Sequence, residues 1–253
     1  MTDRDPVTFE LIRHALAVIG DEMARTMVRC AYSPIVRNSN DYTTGILNTR
    51  GEIIGQGNSP VHLRSLMDAT AAVCQNFTSM EEGDIFVVND PYNGGSHLPD
   101  IFLIRPIFYE SEMVGFSGSE AHHADLGGRV VGSNAADSKE LYEEGLIIPP
   151  SHLVRKGEVD PSLWNIILRN TRFPALVAGD LGAQMTALEV GAGEFCKLLD
   201  RYGKTIFFRY VDEILDYTET LTREEIATWP DGTYRHIDYI DDDGLSDVPI
   251  PVM

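Results

Sequence analysis

Residues 84–128, DIFVVNDPYNGGSHLPDIFLIRPIFYESEMVGFSGSEAHHADLGG, decide the fold class of this chain. Asp84–Asn89 and Ile101–Tyr109 are rich in β-branched and aromatic residues, so each reads as a strand. The loop DPYNGGSHLPD, residues 90–100, joins them. Met113–Ser119 is a third strand, and it runs into a second glycine-rich loop, EAHHADLGGRVVGSN, residues 120–134.

Helical patterns lie on both sides of this stretch. Asp5-Pro6 reads as an N-cap followed by proline at the first helical position. Ile12, Leu16, Ile19, Met23 and Met27 then recur at three- and four-residue spacing, which predicts an amphipathic helix ending before Pro34. Residues 42–56 read as a hairpin turned near Asn48–Gly51, and 61–77 as a helix with Leu63, Leu66, Ala69 and Val73 on one face. Residues 145–160, around Pro149-Pro150, read as irregular. Downstream, Leu181, Met185, Leu188, Ala192, Phe195 and Leu199 form a heptad-like seam that Gly203 should stop. A second helix is expected over 205–227 and a strand over Thr233–Ile240. The expected fold is α+β. A small central sheet from 84–119 carries the glycine-rich loops, between an N-terminal helix and a long, nearly antiparallel helical pair at 177–227. Two units are expected: 1–175 holding the loops, and 176–253 holding the helical pair and an acidic C-terminal strand.

Composition narrows the function. The chain has 253 residues, 43% hydrophobic and 23% charged, and needs no staples to hold a core. Its formal net charge of −19 argues against nucleic acid and against an anionic membrane surface. Cys30, Cys74 and Cys196 are far apart with no CxxC, so reduced, buried thiols in a cytoplasmic protein are expected. The N-terminus has no apolar signal core. The apolar finish after the acidic turn DDDG suggests a chain cut or split from a longer one.

Three of the seven histidines, His97, His122 and His123, fall on the two loops, with Asp90, Asp100, Glu120 and Asp125 beside them. Neutral imidazoles and carboxylates suit Zn2+, Mn2+ or Fe2+. His97-x-x-Asp100 places two ligands on one short turn, and a neighbouring strand end can deliver His122 or His123. Adjacent residues of an extended segment point to opposite faces, so one of that pair should ligate while the other supports the site or moves protons. Gly94-Gly95 and Gly127-Gly128 permit close backbone approach. A hydrogen-bonded turn in a glycine-rich loop would also account for either cluster alone. His62 and Asp41 have ordinary readings in helix capping and turn formation.

Four stretches resemble the hydantoinase B/oxoprolinase family. They are NDPYNGGSHLPD (89–100), AHHADLGG (121–128), RCAYSPIVRNSND (29–41) through GEIIGQGNSPVHL (51–63), and GDLGAQ (179–184). They keep the family order across most of the chain. The resemblance implies a B subunit of an ATP-dependent hydantoinase or related lactam hydrolase, or the metal-binding subunit of an acetone or acetophenone carboxylase. It implies metal ligands His97, Asp100 and His122 with Asp90 added, and His123 and Asp125 close by as catalytic residues. It also implies that the chain is the N-terminal half of a longer one.

No GxxxxGK[ST] is present and no GxGxxG follows a strand, and the resemblance implies that ATP and Mg2+ are bound on a hydantoinase A-like partner subunit. A hetero-oligomer acting on a cyclic amide or ketone follows from the resemblance. The competing expectation is a non-catalytic fragment that binds partner subunits.

Overall fold

The computed structural model describes residues 5–57, 64–241 and 248–252. Helix α1, Pro6–Cys30, starts where the sequence places it. The Asp5 carboxylate accepts hydrogen bonds from the Val7 and Thr8 amides, and Pro6 takes the first position. Phe9, Ile12, Leu16, Ile19, Met23 and Met27 form its buried stripe. A π-helical turn, Ile35–Ser39, leads into β1 (Tyr42–Leu47), which pairs with β2 (Ile53–Gln56) as the expected hairpin. Helix α2 is Ser65–Asn76; the earlier part of the expected helix, with His62, lies outside the described residues. Then come β3 (Ile85–Val88), β4 (Asp100–Tyr109) and β5 (Glu112–His122).

The sheet is larger than the sequence suggests. The segment expected to be irregular supplies β6 (Ser151–Arg155) and β7 (Glu158–Val159), followed by α3 (Pro161–Arg169). The seven strands run in the order β2-β1-β5-β4-β3-β6-β7, every pair antiparallel. β6 forms because β3 would otherwise present an open row of amides and carbonyls. That pairing joins residues 85–87 to 151–154, so local propensity could not announce it.

Both faces of the sheet are covered, which explains the nearly continuous apolar strands. Ile85, Val87, Ile101 and Leu103 enter one core with α1 and the later helices. Their alternates Phe86, Val88, Phe102 and Ile104 enter a second core with Leu66, Ala69 and Val73 of α2. The first core also takes residues from α4 (Pro174–Tyr202) and α5 (Lys204–Ala227), so it crosses the boundary expected at residue 175.

The expected helical pair is present as α4 and α5, and the α4 seam packs chiefly against α1. Gly191 shows why. A Cβ there would stand 2.4 Å from Met23 Sδ, so a side chain at this position would have to displace the Met23 thioether of α1. Beyond α5, the expected strand at 233–240 shortens to β8 (Asp238–Ile240), paired with β9 (Ile250–Val252). The expectation of buried thiols also fails. Cys30 and Cys74 are exposed and Cys196 is half-buried. Among the described residues no helix is long and apolar enough to cross a membrane.

Candidate metal centre

Asp100 opens β4 and His122 closes β5, and the two are direct cross-strand partners. Residues opposite one another in an antiparallel pair project to the same face. Both therefore lie on the α2 side, as their neighbour Phe102 does. His97 reaches the same point by a tight turn in which the Asp100 amide donates to the His97 carbonyl at 3.0 Å. Asp100 Oδ2 lies 2.7 Å from His97 Nδ1, and Asp100 Oδ1 lies 3.2 Å from His122 Nδ1. Ser96 donates its hydroxyl proton to Asp100 Oδ2. One ligand atom from each of His97, Asp100 and His122 falls within 4.8 Å of the others.

The loop that carries His97 is held from below. Asn89 is fully buried; its amide donates to the carbonyls of Leu98 and Leu146, and its oxygen accepts from the Ile148 amide at 2.6 Å. A Cβ on Gly95 would meet the Asn89 carbonyl at 2.4 Å, so this turn closes only over glycine. Asp100 is 1% exposed and His122 14%, whereas His97 is 39% exposed. The centre therefore opens to solvent on the His97 side.

Electrostatics follow from this packing. Burial alone would push the Asp100 carboxyl up, but hydrogen bonds from His122, His97 and Ser96 outweigh it and hold Asp100 well below the usual carboxylate range. The hydrogen bond to Asp100 raises the His97 imidazole, against the opposing effect of burial. Glu120 lies two residues before His122 on the same face of β5 and is fully buried. Burial, and then the neighbouring Asp100 charge, push its carboxyl well above the ordinary value. Asp41 stands just ahead of β1; its carbonyl accepts from the His122 amide at 3.1 Å and its carboxylate lies 3.8 Å from His122 Nδ1. Sequence reasoning left Asp41 as a turn residue and Glu120 as a bystander. An acid inside the apolar β5 strand was the available signal for Glu120; Asp41 was marked only as the end of the family-like stretch 29–41.

The other expected site residues lie elsewhere. Asp90 is half-buried outside the three-residue group, and its carboxylate accepts from the Tyr92 amide at 3.0 Å. His123 points to the opposite face of the sheet, where its Nε2 meets Gln184 Oε1 of α4 at 3.0 Å. It is fully buried, and that burial lowers its pKa. Asp125 is also buried. It accepts from the amides of Gly127, Gly132 and Arg172, and from the Arg172 guanidinium at 2.7 Å. Burial would raise its pKa; the Arg172 and backbone hydrogen bonds lower it instead. Its geometry is that of a loop anchor.

A buried carboxylate between two imidazoles, presented by strand ends, is a donor set suited to a borderline divalent cation. Residues 5–253 match the Hydantoinase B/oxoprolinase family, and the chain belongs to it. It is 35% identical to the caprolactamase subunit beta of Pseudomonas jessenii, over 96% of this chain and 42% of that one. The crystal structure of ATP-dependent caprolactamase from the same organism superposes with a TM-score of 0.86 at 34% identity, over 91% of this chain and 40% of that chain. A nucleotide-free acetone carboxylase structure shares the fold, with a TM-score of 0.77 at 18% identity over 83% of this chain and 28% of its own. The chain spans about two-fifths of the length of the first three curated relatives it matches and about one-fifth of the 5-oxoprolinases.

Proposed function

We propose that this chain carries the metal centre of an ATP-dependent, multisubunit enzyme that opens a cyclic amide of the hydantoin, oxoproline or lactam type. The observation that carries the reading is the convergence of His97, Asp100 and His122 in a member of this family. The carboxylation of a small ketone is the second reading; it has only the shared fold of acetone carboxylase behind it, at 18% identity, whereas the caprolactamase likeness extends to 34%.

In this reading His97, Asp100 and His122 hold Zn2+, Mn2+ or Fe2+. The bound ion would polarise a carbonyl or supply hydroxide near neutral pH. Asp100 fixes both imidazoles, and the exposed side of His97 admits the substrate. Glu120 favours its protonated form beside Asp100 and so limits the negative charge behind the centre. Asp90 shapes the His97 loop, while His123 and Asp125 hold the strand end and the following loop. ATP with Mg2+ belongs on a hydantoinase A-like partner subunit in a cytoplasmic hetero-oligomer, because the relatives include a subunit beta and this chain has no phosphate-binding glycine motif.

Two measurements test the reading. Elemental analysis of the gently purified chain should find a divalent transition metal. Co-purification with partner subunits should then yield ATP-dependent opening of hydantoins or lactams. Turnover confined to aryl ketones with bicarbonate would select the carboxylase reading. A metal-free, inactive complex would leave the chain as an assembly fragment.

A further inference from the structure

We infer that Gln184 is a positioning residue for the metal centre, acting through the sheet from the face opposite the ligands. The inference rests on the reading of His97, Asp100 and His122 as that centre. Gln184 is fully buried on α4 and touches none of the three. Its side-chain Nε2 donates to the Ile101 carbonyl at 2.8 Å, with Ser119 Oγ farther off at 3.4 Å. Its Oε1 faces His123 Nε2 at 3.0 Å. Ile101 follows Asp100 and His123 follows His122. One amide thus ties together the two strand ends that carry two of the three ligands.

The geometry also fixes a proton. The Ile101 carbonyl can only accept, so the Gln184 NH2 must face it and the Gln184 oxygen must face His123. His123 Nε2 therefore carries hydrogen, and neutral His123 is held as the Nε2–H tautomer. Its backbone is pinned as well, the His123 amide donating to the Pro99 carbonyl at 2.8 Å. Ring and backbone contacts together tie the end of β5 to α4 and to the chain just before β4, next to His122 and Asp100. The sequence displays Gln184 as a polar residue within an apolar helical seam, at the end of the family-like stretch GDLGAQ. Its meaning comes from the Ile101 and His123 groups it meets.

The test compares wild type with Gln184→Met, Gln184→Glu and the control Leu199→Ala in the full chain. The control removes a buried side chain from the same helix, away from the strand ends. Mn2+ and Zn2+ affinity is read by chelator competition, stability by thermal melting, and the His123 tautomer by 15N NMR of the imidazoles. Gln184→Met should weaken metal binding about 10- to 100-fold, the usual effect of losing an outer-shell partner, and should release the tautomer. Gln184→Glu keeps an acceptor for His123 and should recover part of the affinity. Leu199→Ala should lower the melting temperature and leave the metal affinity unchanged. A Gln184→Met protein that melts earlier yet binds metal within about threefold of wild type would overturn the inference and make Gln184 a packing residue. A wild type that takes up neither ion would instead overturn the underlying metal reading, and the inference with it.

Discussion

Asp100 and Asp125 look alike in sequence. Each is an aspartate close behind a histidine in a glycine-rich loop next to a strand, and each is buried with a depressed pKa. Their partners separate them. Asp100 faces two imidazoles, which can exchange a proton for a metal ion. Asp125 faces the Arg172 guanidinium and three backbone amides, which cannot. The same carboxylate chemistry yields a candidate ligand in one loop and a structural anchor in the other. A perturbed pKa therefore marks a packed carboxylate, and only the nature of its partners says what the carboxylate does.

The largest expected effect falls on Asp100. Asp100→Ala should lower metal affinity by more than about 100-fold, exceeding the outer-shell scale, and should do so with the sheet intact by circular dichroism. Retained metal at full occupancy would remove Asp100 from the ligand set and dissolve the contrast with Asp125.

Asp125→Asn should do the reverse. Breaking a half-exposed charge pair whose carboxylate is buried should cost about 2 kcal/mol of stability, below the 3–5 typical of fully buried pairs, with metal affinity little changed. The sign of its pH dependence is set by the depressed pKa. The stabilisation is present above the unfolded carboxyl value of about 4 and is lost as pH falls through the lower folded value. Acid melts should therefore show a wild-type decline that Asp125→Asn lacks. Loss of metal in this variant would show that the two loops are one functional unit.

The third test is pH itself. The Asp100 hydrogen bond raises His97 above the ordinary imidazole value, and a metal must displace that proton. Metal affinity should fall by up to about tenfold per pH unit once the pH drops below that raised pKa, which one proton released per ion requires. Calorimetry in buffers of different ionisation heat would count the protons. A pH-independent affinity from 5 to 8, values chosen to bracket imidazole titration at about 6.5, would exclude His97. The smallest effect belongs to His236, which is exposed beyond α5. His236→Ala should change stability by less than about 0.5 kcal/mol and leave metal binding untouched.

Much of the fold was legible because its signals are local. The Asp5-Pro6 cap, the α1 stripe, the β1–β2 hairpin and the three strands of 84–128 each announce themselves within a few residues. The β6 strand did not, since its pairing with β3 spans more than 60 residues in sequence, from Ile85 to Val154, and β7 only adds to the far edge of β6. The site divided in the same way. His97 and Asp100 could be named from a two-loop pattern, which left His122 and His123 open until the family resemblance chose His122. Gln184, Glu120 and Asp41 acquire meaning only through groups delivered by other elements.

The sequence by itself determined the alternation that sends His122 and His123 to opposite faces, the glycines that let the loops close, and the residue types able to bind a cation. These depend on backbone geometry within one strand or turn. The tertiary structure decided which histidine meets Asp100, which aspartate is claimed by Arg172, and which helix covers the α4 seam. Those outcomes depend on register between strands and on packing between distant segments. A register shift of a single residue would have exchanged the faces of His122 and His123.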